Sequence, residues 1–99
     1  MFFVTLTFGA NRQTAAQHMD GHKAWLKRGF DDGVFLVAGS LAPGEGDDGG
    51  GGIVAHGLSR TDLERRVAED PFVAEGVVRP RIVELAPARA DDRLAFLLS

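Results

Sequence analysis

Val34-Phe35-Leu36-Val37-Ala38-Gly39-Ser40-Leu41 and Ile53-Val54-Ala55-His56, joined by the glycine-rich residues 42–52, decide how this chain folds. The first run is short, almost wholly apolar and carries β-branched residues, so it reads as a central strand buried on both faces, closed by Gly39-Ser40-Leu41. The second run reads as the next strand. Between them lie Pro43, the acids Glu45, Asp47 and Asp48, and a set of glycines that is densest at residues 49–52. Such a stretch reads as a flexible hairpin connection or lid. Its spacing matches neither glycine-rich phosphate fingerprint, no Lys-Ser/Thr follows, and its acids would repel an anion.

Helices flank this pair. Upstream, Ala15, Met19, Leu26 and Phe30 recur at helical spacing, predicting a helix over residues 14–30 with those side chains on its buried stripe. His22 falls within the stripe, about 60° from Met19 on a helical wheel. His18, Trp25 and Gly29 lie further round the same flank. Gly33 suits a left-handed C-terminal cap. Downstream, Ser59 with Asp62, or Thr61 with Glu64, offers a helix start, and Leu63 and Val67 lie four apart on its buried face. That helix must stop by Glu69, because Pro71 disfavours the α conformation at Asp70. Residues 72–76 then make a short connection.

The outermost elements are strands. Phe2-Phe3-Val4-Thr5-Leu6-Thr7-Phe8 alternates an apolar face (Phe2, Val4, Leu6, Phe8) with a mixed one (Phe3, Thr5, Thr7). Residues 77–85 form the last strand, and Pro80, which cannot donate to a ladder, places it at an edge. The order is strand, helix, strand, strand, helix, strand. That is the ferredoxin-like βαββαβ sandwich of the α+β class, with two helices on one face of a four-stranded antiparallel sheet. The expected division is a domain over residues 1–86 and a tail over residues 87–99, which ends Leu94-Ala95-Phe96-Leu97-Leu98 and should pack on the domain or on a partner. The open sheet face calls for a second copy, so a homodimer is expected.

Ninety-nine residues fit one domain. Apolar residues at 44% and charged residues at 25% are ordinary for a globular protein. A net charge of -3 gives no basic field to draw in nucleic acid or an anionic membrane. No stretch approaches a membrane span, and the apolar start reads as a strand rather than a signal peptide. With no cysteine, disulfides, thiolate metal sites and a cysteine nucleophile are excluded. A cytoplasmic location is expected.

Three segments carry a likeness to a known family: His22-Lys23-Ala24-Trp25-Leu26 followed by Gly33 and the next strand; the strand end Ala38-Gly39-Ser40-Leu41; and Glu69-Asp70-Pro71-Phe72-Val73-Ala74-Glu75-Gly76-Val77. Together they resemble the YCII-related proteins, whose signatures are a helical histidine and an Asp-Pro-Phe turn. The resemblance covers residues 1 to about 85. It implies a dimer similar in fold to muconolactone isomerase and the small ferredoxin-like monooxygenases. It also implies an active site of one His and one Asp, carried over by motif position to His22 and Asp70. A member acts as a dehydrochlorinase in aromatic degradation. Two departures stand out: Met19 occupies a position where an arginine is common, and Ser40 one where a proline is common.

A carboxylate accepting from one ring nitrogen of a histidine fixes its tautomer and leaves the other nitrogen as general base or acid. The bland alternative is a satisfied structural pair in which Asp70 also caps the turn through Phe72 or Val73. Trp25 and Phe72 are candidates to line a pocket for a planar ligand, against simple core packing. Ser40 is a candidate to bind a substrate but lacks a nucleophile-elbow context. His18 and His22 have zinc-ligand spacing, yet no glutamate follows His18 and a third ligand would have to be His56 or a loop acid. Arg79 and Arg81 share one strand face, where solvated edge charges are common. The expected function is a cofactor-free enzyme that moves a proton through His22 during elimination or isomerisation of a small, aromatic or enolisable substrate. The alternatives are a non-catalytic dimeric module that binds a metabolite or assists a partner protein, and a heme-free monooxygenase.

Overall fold

The computed structural model describes residues 1–42, 44 and 49–98. Four strands, β1 (Phe2–Phe8), β2 (Phe35–Ser40), β3 (Gly50–Ala55) and β4 (Val78–Glu84), form one sheet in the order β2-β3-β1-β4 with every pair antiparallel. Between them run α1 (Ala15–Asp31), α2 (Arg60–Ala68) and the single-turn α3 (Pro71–Ala74). Element order and topology are those of the ferredoxin-like sandwich read from the sequence. The helices cover one face of the sheet. Phe2, Val4, Leu6, Ile53 and Ala55 point toward them and pack with Trp25, Phe35, Leu63, Val67, Phe72, Val77 and Val78 as a single core.

Local chemistry explains most boundaries. Gly33 follows α1 at φ 76°, a conformation that costs glycine little. Of the two starts open to α2, the chain uses Ser59, whose hydroxyl accepts from the Asp62 amide at 3.1 Å. Asp70 is extended at ψ 123°, as the proline after it requires, and its carboxylate caps α3 through the Phe72 amide. The expected connection over residues 72–76 is therefore partly helical. Residues 43 and 45–48 of the expected glycine-rich loop lie outside the described residues, but Gly50, Gly51 and Gly52 belong to β3.

Two expectations are corrected. β2 is an edge strand, not a central one. Phe35 is buried under the helices, whereas Val37 lies on the uncovered face and is 57% exposed. The apolar run arises because both faces carry apolar side chains, although this chain's own helices cover only one of them. α1 also buries a different stripe: Trp25 and Gly29 are its buried residues, while Met19 and Phe30 are exposed. The reason is steric. The Phe35 ring sits where a side chain of residue 29 would be; a Cβ on Gly29 would fall 2.0 Å from its Cδ2. This close approach, with Trp25 edge-on to the same ring at 5.2 Å, turns the histidine and indole flank toward the core. Gly29→Ala is accordingly expected to cost about 1–3 kcal/mol through overpacking. The check is a lowered urea midpoint at unchanged m-value; a midpoint equal to the wild type would show that the ring and the helix are not locked together.

The opposite sheet face carries Phe3, Thr5 and Thr7 of β1, Val37 of β2, Val54 of β3, and Arg79, Arg81 and Val83 of β4, by strand alternation and register. Phe3, Val37 and Val83 are exposed there. Beyond β4, a 3-10 segment (Asp92–Leu98) leaves Leu94, Phe96 and Leu98 exposed, with the Phe96 ring edge-on to His56 at 5.2 Å. No helix among the described residues is long and apolar enough to cross a membrane.

Candidate functional site

His22 faces inward from the middle of α1 because the Trp25–Gly29 stripe sets the helix's rotation on the sheet. Asp70 reaches it from the start of α3, where Pro71 holds the backbone extended. The His22 Nδ1 lies 2.9 Å from Asp70 Oδ1, and the Phe72 amide donates to the same oxygen at 3.0 Å. Asp70 is 0% exposed, and its Oδ2 is buried with no hydrogen-bond partner among the described residues. If the carboxylate is ionised it only accepts, and the proton of this bond is then assigned to His22 Nδ1, which leaves the lone pair of a neutral ring on Nε2.

The imidazole is clamped as well as hydrogen-bonded. The Phe72 ring stacks on it with centroids 4.1 Å apart and planes 4° apart, and Trp25 lies on at 5.9 Å. The His22 side chain keeps 14% of its surface exposed. His22 lines a cavity of about 350 Å³ between α1 and the sheet, and its Nε2 has no protein partner among the described residues. Leu6, Phe8, Met19, Leu26, Ile53 and Phe72 give the cavity apolar walls, and His22, Lys23 and Ser40 are its polar side chains. Few polar groups in an apolar concavity is the usual composition of a small-molecule site.

The structure thus brings together His22, Asp70, Phe72 and Ser40 out of the residues singled out in the sequence. It leaves out Trp25, which is 1% exposed and does not line the cavity. The indole N–H donates to the Arg66 carbonyl at 2.8 Å, so Trp25 is a packing residue that ties α1 to α2. His56 is directed elsewhere, its Nε2 3.0 Å from the Gly33 carbonyl oxygen. Among the described residues no group of three or more His, Asp or Glu side chains is placed to hold a metal ion. Arg79 and Arg81 are on the far side of the sheet from the cavity.

Sequence reading missed two participants. Lys23 lines the cavity next to His22 and forms no ion pair among the described residues; its only signal was adjacency to the histidine. The backbone of Gly50, Gly51 and Gly52 forms part of the cavity wall, although these glycines read as the loosest part of a loop. Glycine has no side chain to show a strand's alternation, so nothing in the sequence set these three apart from the rest of the run.

The family model of the YCII-related domain matches residues 1–86. Among solved structures, the fold is similar to that of 5-chloro-2-hydroxyhydroquinone dehydrochlorinase (TftG) from Burkholderia phenoliruptrix AC1100, in complex with 2,5-dihydroxybenzoquinone. The TM-score is 0.65 at 19% identity, over 86% of this chain and 93% of that one. No curated protein matches the sequence. With nearly the whole folded part of the chain accounted for by one family model, this chain belongs to the YCII-related domain family.

Proposed function

We propose that this chain is a cofactor-free enzyme in which His22 transfers a proton during elimination or isomerisation of a small, flat, enolisable or phenolic substrate. One observation carries the reading: a histidine anchored through Nδ1 by a buried carboxylate lines an apolar cavity of about 350 Å³ and has no protein partner on Nε2 among the described residues. Nε2 takes a proton from a hydroxyl or an activated carbon. The electron pair left behind moves into the conjugated system. In elimination it expels a leaving group such as halide, so that H–X is lost overall with no change in oxidation state of the whole. In isomerisation the imidazolium returns the proton to a different carbon. Lys23 supplies positive charge at the wall where an enolate or phenolate develops, and Ser40 offers a hydrogen bond to a substrate oxygen. The dehydrochlorinase of similar fold supports halide elimination from a hydroxylated ring as the first reaction to try.

The working unit in this proposal is a homodimer. The apolar positions Phe3, Val37, Val54 and Val83 on the uncovered sheet face support it, since a patch of this kind is usually an interface. Sedimentation equilibrium is expected to give twice the chain mass.

The test combines two readouts under anaerobic conditions. Chloride release from 5-chloro-2-hydroxyhydroquinone is expected to exceed the buffer rate and to saturate with substrate. In D2O, proton NMR is expected to show catalysed exchange of ring hydrogens in hydroxylated aromatics that share its pattern. Neither chloride release nor exchange above buffer, at enzyme concentrations that saturate the ligand, would end the enzymatic reading.

A further inference from the structure

We infer that Gly51 is the specificity-determining position of the cavity: a flat ligand lies on its bare peptide, in the room that a side chain would otherwise fill between Leu6 and Ser40. Along β3 the residues facing the helices are Gly51, Ile53 and Ala55, and the last two are buried. Gly51 pairs with Leu6 on one side and Ser40 on the other, and all three line the cavity. It therefore occupies a core-facing place in the sheet and leaves it empty.

Backbone geometry does not demand this glycine. Gly50 does need to be one: its φ is 136°, and a Cβ there would lie 1.9 Å from the Leu6 carbonyl oxygen. Gly51 has no such conformation. A Cβ on it would meet a single atom within 4 Å, the Gly39 carbonyl oxygen at 3.2 Å, and the rest of its surroundings are open. Glycine inside a strand costs roughly 0.5–1 kcal/mol of stability relative to alanine. An inward glycine that the backbone does not require marks a place where something else must approach closely. Here that place is walled by the stacked His22 and Phe72 rings and by Leu26. A volume of about 350 Å³ is near the lower end of ligand pockets, so a side chain at this position takes a large share of it.

The inference rests on the cavity being the ligand site assigned above, but not on proton transfer by His22. Its test is therefore binding, not turnover. The probes are phenol and 2-naphthol, titrated into the ¹⁵N-labelled full chain and followed by amide shifts. Both are expected to shift the amides of Gly51, Gly52 and Ser40 in the wild type. Since one methylene in an apolar pocket is worth roughly 10–200-fold, Gly51→Val is expected to weaken 2-naphthol at least about tenfold and phenol less. Gly51→Ala is expected to fall between. Both variants are expected to stay folded, because the one close contact, with the Gly39 carbonyl oxygen at 3.2 Å, asks that neighbour to give by only a few tenths of an ångström. Equal 2-naphthol affinity in wild type and Gly51→Val, or shifts that map away from β3, would overturn the inference. A Gly51→Ala chain that fails to fold would do so too, since the space would then be structural. Normal binding with no turnover would instead count against the proton-transfer reading alone.

Discussion

Replacing His22 with glutamine is expected to lower kcat/KM by about 10²–10⁴-fold, the usual contribution of a positioned general base or acid. Glutamine keeps a polar side chain of similar reach that can still donate to Asp70, but it has no group that takes up and releases a proton near neutrality. The fold should survive. His22 is only one of several ties between α1 and the rest, the others being the Trp25 indole bond to Arg66 and the packing of Gly29 on Phe35. The loss of stability should therefore stay near the value of one hydrogen bond and one ring stack, about 1–2 kcal/mol. The competing account, in which His22 merely clips α1 to α3, predicts the reverse pattern: the same or a larger fall in urea midpoint with turnover unchanged. Measuring rate and stability on the same preparation separates the two, and a glutamine variant with wild-type kcat/KM would remove His22 from the chemistry.

Signals made by neighbours in the chain were legible. Asp70 before Pro71 had to be extended and had a side chain suited to capping, and it is both. Ser59 was one of two starts for α2, and Pro80 put β4 at an edge, where the sheet order places it. Signals that depend on what packs across a gap were not. The stripe Ala15, Met19, Leu26 and Phe30 is a good helical stripe by hydrophobicity. The helix nevertheless turns so that Met19 and Phe30 are exposed while Ala15 and Leu26 stay half-buried against the core, because the ring of Phe35 fits only against a residue with no side chain. The same blindness hid the cavity. A cavity is an absence of side chains, and Gly51 looks in sequence like its neighbours in a loose glycine run, although its partners across the sheet are Leu6 and Ser40. Val37 misled in the opposite way, since an apolar side chain on an uncovered face cannot be told by its identity from one in a core.

Asp70→Ala is expected to damage both stability and rate, and Asp70→Asn mainly rate; the contrast isolates what the carboxylate's charge does. Removing the side chain loses the α3 cap, about 1 kcal/mol, and the bond to His22, roughly 1.5–3 kcal/mol where one partner is charged. The expected fall of about 3 kcal/mol, summed from those two contributions, is a large share of the stability a small domain has. Asparagine behaves differently because two donors converge on one atom. The Phe72 amide and His22 Nδ1 both bond to Oδ1, so the amide oxygen of asparagine is held at that position and the NH2 group is forced to the place of Oδ2. The cap remains, and His22 keeps its proton on Nδ1. What changes is that no negative charge faces the imidazolium that forms when Nε2 takes a proton, and that a buried donor now stands where Oδ2 had no partner. The rate is expected to fall about 10–100-fold, the usual cost of losing such an outer partner, with a loss of stability no larger than one unmet buried donor, about 1–3 kcal/mol. An asparagine variant that turns over at the wild-type rate would mean that Asp70 serves only as a cap and a clip, because tautomer and geometry are unchanged in that variant and only the charge has gone.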